Sequence, residues 1–148
     1  MSEDISQSAA DHLFRMKKKR AKFDWVRWPD LGKKVAVDLL SLDEKESFIL
    51  DVGRSYVELT RLILQTRAKI TVILARLDID GAPHRNPDDT ELPCPHLHLY
   101  REGYNDKWAI APPPQHFGNL NDRKQIVSDF MRFCSIVEPP EFREDLLS

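Results

Sequence analysis

Across residues 33–80 the hydrophobic positions recur every second residue and β-branched side chains become frequent, the period of strands with one buried face. Val35, Val37 and Leu39 alternate with Ala36 and Asp38 and predict a first strand. After a polar break at 43–46, Phe48, Leu50 and Val52 line a second strand, which Gly53 ends. Residues 56–67 predict a third, with a slip of phase near Arg61 that a bulge would absorb. Residues 70–79 (ITVILARLDI) are apolar on both faces until Arg76, as expected of a central strand covered on each side.

The flanking segments follow other rules. Residues 8–23 contain good helix formers and no Gly or Pro, with Leu13, Met16 and Phe23 as a narrow apolar edge, and predict a basic amphipathic helix. An aromatic connector with Trp25, Trp28, Pro29 and Gly32 follows. Four prolines, Gly81 and Asn86 within residues 81–95 predict a long loop without regular structure. Residues 96–101 and 107–111 read as a hairpin closed by a turn at 102–105. Ile126, Val127, Phe130, Phe133 and Cys134 form one helical stripe, with Asn121 or Asp122 placed to cap it and Pro139 and Pro140 to stop the chain's next turn. The expected fold is α+β: a single antiparallel sheet of about six strands with an N-terminal basic helix and a C-terminal amphipathic helix. Residues 1–148 form one expected domain, with 1–7 and 141–148 as frayed tails.

Composition narrows the class. The chain has 148 residues, 22 Lys+Arg against 24 Asp+Glu, and 41% hydrophobic residues, enough to bury a core and to exclude global disorder. No apolar run approaches the roughly 18–20 residues of a membrane span, and the first residues are polar and acidic, so the expectation is a cytoplasmic protein with no membrane partner. Cys94 and Cys134 lack metal-knuckle spacing and read as reduced thiols, Cys94 as a packing residue. Charge is uneven: residues 1–34 hold nine basic side chains and five acidic ones, and six of the eight residues at 15–22 are basic. Lys17, Lys18, Lys19 and Arg20, with Arg101 and Lys107 on the hairpin, are candidate contacts to RNA phosphates; the alternative is a solvated helix face.

The candidate chemistry lies at His84, His96 and His98. Residues two apart on a strand point the same way, so Cys94, His96, His98 and Tyr100 share an expected solvent-accessible face while Leu97 and Leu99 turn to the core. Arg76, Asp78 and Asp80 lie at the end of the central strand. Each residue also has an ordinary reading, a polar surface stripe or an ion pair.

The stretches RLDIDGAPHRNPDD (76–89) and PHLHLYREGYNDKWAI (95–110) resemble an uncharacterised family of small bacterial and prophage-borne proteins. The resemblance implies one site that includes His84, Asn86, Asp88, His96, His98, Tyr100, Glu102, Tyr104, Lys107 and Trp108. Its mobile-element setting implies a toxin-antitoxin or defence role with a protein partner encoded nearby. His96-x-His98-x3-Glu102 also resembles the first metal motif of cupins, although the second motif is absent. Three functions follow. The first is a metal-independent, RNA-directed endoribonuclease without cofactor, with His96, His98 and Tyr100 as acid and base and Arg76, Arg101 or Lys107 on the phosphorane. The second is a zinc or iron protein using His84, His96 and His98 with Asp78 or Asp80. The third is a non-catalytic binding or regulatory protein of a phage or defence system, acting through the basic helix and the Pro-rich loop.

Overall fold

The computed structural model describes residues 4–144. It is a mixed α+β fold with two helices and a sheet of eight strands, ordered β10-β9-β6-β5-β4-β3-β1-β11. The strands are β1 (Lys18–Arg20), β3 (Lys34–Ser41), β4 (Ser47–Arg54), β5 (Leu62–Ala68), β6 (Val72–Ile79), β9 (His96–Leu99), β10 (Ala109–Ile110) and β11 (Ile136–Glu138). Two short ladders lie outside the sheet: β2 (Val26–Arg27) with β12 (Phe142–Arg143), and β7 (His84–Arg85) with β8 (Glu91–Leu92). No helix among the described residues is long and apolar enough to cross a membrane.

Period-two alternation decides which face is covered. Leu39, Phe48, Leu50, Val52, Leu62, Leu64, Leu77 and Leu97 join Leu13 of α1 (Gln7–Arg15) and Ile126, Phe130 and the C-cap Cys134 of α2 (Arg123–Phe133) in one core. Those eight strand residues are at most 2% exposed. The alternate positions Ile63, Gln65 and Arg67 are only half-buried, and Arg67 and Gln65 both bond Asp51 on the neighbouring strand. The second face is therefore polar, and the histidine-bearing strand is set on its edge side between β6 and β10.

Several expectations are corrected. The basic residues do not extend the first helix. Ser6 caps its start, where the hydroxyl accepts from Ala9 N–H at 3.1 Å, but the helix ends at Arg15 and residues 18–20 enter the sheet. Lys18 explains the switch: fully buried, its ammonium donates to the carbonyls of Phe14 and Met16 at the end of α1 and of Cys134 at the end of α2, at 2.8–2.9 Å. One cation thus satisfies carbonyls left free at both helix termini. The two chains leave that point as neighbours, which makes β1 and β11 parallel and the sheet mixed, with eight strands in place of about six.

The third strand begins at Leu62, not at 56, because Ser55 and a Glu58–Arg61 turn hold the preceding residues off the sheet and leave Val57 91% exposed. The observed bulge lies further on, at Thr66/Arg67. The 81–95 loop carries the β7–β8 ladder, turned at Asn86–Thr90 with Asp89 at positive φ. Nor are the expected tails free: Ile5 bonds Tyr100, Gln7 opens α1, and residues 142–143 pair with β2. Residues 1–3 and 145–148 of those tails lie outside the described residues.

Candidate metal centre

Two short sequence patterns, Arg76-x-Asp78 and His96-x-His98, make the site when their strands pair. In the β6–β9 ladder Arg76 stands opposite His98 and Asp78 opposite His96, so four polar side chains form a block on one face. Leu77 and Leu97, the register pair between them, point into the core. The face is the expected one, but it is not solvent-accessible. Asp78, His96 and His98 are 5%, 3% and 0% exposed, because the β7–β8 segment and the 101–109 hairpin fold over them.

Backbone carbonyls fix the imidazole protons. A carbonyl oxygen can only accept, so the nitrogen facing it carries the hydrogen. His98 Nδ1 donates to Asp106 O at 2.8 Å, His96 Nε2 to Ala82 O at 3.2 Å, and His84 Nε2 to Lys107 O at 2.7 Å. In the neutral rings His98 Nε2 and His96 Nδ1 then bear lone pairs, and they face each other at 3.1 Å. Asp78 Oδ2 is 3.6 Å from each. A triangle with those edges has a centre about 2 Å from all three corners, the length of a zinc–nitrogen or zinc–oxygen bond. Asp78, His96 and His98 form the group whose ligand atoms all lie within 4.8 Å of one another. His84 is outside that group, and its ring packs edge-on against His98 at 4.5 Å between centroids.

The electrostatics of the cluster follow from its burial. Burial lowers the His96 pKa, against the Ala82 carbonyl and Asp78, which raise it, so the ring is neutral at pH 7 with its lone pair free. Burial raises the Asp78 carboxyl, and the Arg76 guanidinium opposes that by charge and hydrogen bonding. Arg76 is the balancing charge: it bonds Asp78 at 3.1 Å and Asp106 at 2.8 Å, and its Nη2 also reaches His98 Nε2 at 3.2 Å. Cys94 lies beside the site as a thiol, its pKa raised by burial, and donates to Asp78 O. It holds backbone and is no nucleophile.

Other expected members go elsewhere. The Tyr100 hydroxyl donates to Ile5 O at 2.7 Å and accepts from Ile5 N–H at 3.0 Å, which ties down the start of the chain. Arg101 stacks over Trp108 at 4.3 Å, Tyr104 packs edge-on to the same ring, and Glu102 accepts from Gln7 N–H. Lys107 contributes its carbonyl to His84 and leaves its side chain exposed. Asn86 is buried and pairs with both backbone groups of Ala109, which clamps the loop onto β10. Asp88 closes the Thr90 turn, and Asp80 is exposed at positive φ. Of the basic run, Lys18 is internal, Lys19 pairs with Glu44 at 3.8 Å, and Arg20 donates to Pro139 O; Lys17 is exposed. A strand sends alternate side chains to opposite faces, so the run does not present one phosphate-binding face. Asp106 is the residue of the cluster missed in the sequence. The signal lay in its place beside Lys107 and Trp108, since a hairpin opposite two histidines must return carbonyls and side chains across them.

Fold and cluster together define an α+β protein whose polar sheet face buries a two-histidine, one-carboxylate group. The chain belongs to a family of unknown function, DUF6978, whose sequence profile matches residues 5–136. No curated protein and no solved structure matches it.

Proposed function

We propose that this chain is a metalloprotein that holds one divalent transition-metal ion on Asp78, His96 and His98. The observation that carries this reading is the triangle of three acceptor atoms with edges of 3.1, 3.6 and 3.6 Å. The distal nitrogen of each imidazole is already donated to a carbonyl, the outer-shell arrangement that orients metal-bound histidines. Two histidines and one carboxylate suit zinc or iron(II), and three protein ligands leave a coordination position for water or substrate.

The geometry gives less support to an endoribonuclease. General acid and base must sit on either side of a substrate phosphate, yet these imidazoles are buried in mutual contact and the Tyr100 hydroxyl is committed to Ile5. Arg76 favours a second reading, since its guanidinium reaches the same His98 nitrogen. The cluster would then be a structural ion network with Arg76 as its cation.

Elemental analysis separates the two. Protein purified without chelator and reconstituted with zinc should carry about one equivalent per chain, lost in His96→Ala and His98→Ala. Wild-type protein that stays metal-free after reconstitution overturns the metal reading and leaves the Arg76 network.

A further inference from the structure

A second site lies on the same sheet row. Register places Lys34 opposite Gly53, Gly53 opposite Ile63, Ile63 opposite Asp78 and Asp78 opposite His96. Around the first half of that row is a cavity of about 360 Å³ lined by Lys33, Lys34, Arg54, Ser55 and Arg61, with Gly32 and Gly53 among its backbone. No acidic side chain lines it. Gly32 has φ +77°, and a Cβ there would lie 2.0 Å from the Tyr56 ring, so this turn requires glycine.

Of the four cations, Lys33 and Lys34 are exposed and Arg54 and Arg61 are half-buried. Arg54 and Arg61 each have a buried Nε with no hydrogen-bond acceptor. Arg54 spends one further nitrogen on Pro29 O, and among the described residues no ion pair is made by Arg61, Lys33 or Lys34. Four cationic side chains with no carboxylate among the lining residues match a multiply charged anion rather than a single carboxylate.

We propose that this cavity binds the phosphoryl group of a phosphorylated small molecule. Its volume admits a di- or monophosphate with part of the molecule attached. It borders the histidine cluster through Ile63, the neighbour of Asp78, and through Arg61, which packs against Gly81 next to the Ala82 carbonyl that holds His96. The assignment does not depend on a metal.

Calorimetric titration of chelator-treated protein with inorganic pyrophosphate at ~50 mM salt tests it, since metal-bound pyrophosphate is then excluded. Saturable binding is expected, weakened ~10- to 100-fold in Arg61→Gln and in Lys34→Gln, each of which removes one charge-assisted contact. Lys34 is exposed, so its variant remains informative if Arg61→Gln folds poorly. No binding at millimolar pyrophosphate, or binding unchanged in both variants, overturns the proposal. Binding of a single-stranded oligonucleotide with pyrophosphate inert overturns it too, in favour of a surface that tracks a polymer backbone. Retention of pyrophosphate binding by His98→Ala would separate this site from the metal centre.

Discussion

His98 Nε2 and His96 Nδ1 face each other across 3.1 Å, each with its partner nitrogen donated to a backbone carbonyl. Two lone pairs so close in a buried site repel unless something positive stands between them. Asp78 Oδ2 completes the same small triangle and adds negative charge to it. Arg76 supplies part of the compensation from one side, and a metal ion at the centre would supply the rest.

Arg76 should oppose metal binding while stabilising the metal-free protein. Its replacement in Arg76→Gln leaves Asp78 and Asp106 without their guanidinium, at a cost of about 1–3 kcal/mol. The same change frees Asp78 and His98 for a metal. Melting curves with and without zinc should show a less stable metal-free variant and a larger zinc-induced rise than in wild type. An equal or absent rise would favour the ion-network reading.

Tyr100 is expected to act on stability alone. Tyr100→Phe removes both hydrogen bonds to Ile5 and should cost about 1–2 kcal/mol in urea unfolding. Metal content should stay at the wild-type level. Loss of metal from this variant would place the hydroxyl in the centre after all.

Lys18 predicts a pH dependence of known sign. Burial pushes its pKa down from 10.5 to about 8, so between those values the folded chain binds fewer protons than the unfolded one. Stability therefore rises with pH in that window, by up to about 1.4 kcal/mol per unit. Cys134, pushed up to about 12 by burial, acts in the opposite direction above pH 9 but is present in both wild type and Lys18→Met. The stability difference between these two proteins should shift toward wild type from pH 8 to pH 10. A difference independent of pH would show that Lys18 keeps an ordinary pKa in the folded state.

Much of the fold was legible in residue order because alternation reports burial directly. Val37 and Leu39, Phe48 and Leu50, and the 126–134 stripe all reach the core, and Asp122 caps α2. The histidine face was legible for the same reason. What alternation cannot report is what covers a face: the carbonyls of Ala82, Asp106 and Lys107 arrive from connecting segments outside the β6–β9 ladder. Lys18 was illegible in a similar way. Its three carbonyl partners come from two helix ends, one of them 116 residues distant, while local propensity over 8–23 favours a helix.

X-ray absorption at the zinc edge of the reconstituted protein tests the metal centre most directly. The account predicts two imidazole nitrogens and a carboxylate oxygen at about 2.0–2.2 Å, with the protein-bound zinc signal lost in His98→Ala. A shell containing sulfur at about 2.3 Å would move the ion to Cys94, and a spectrum of hydrated zinc without imidazole would contradict the centre altogether.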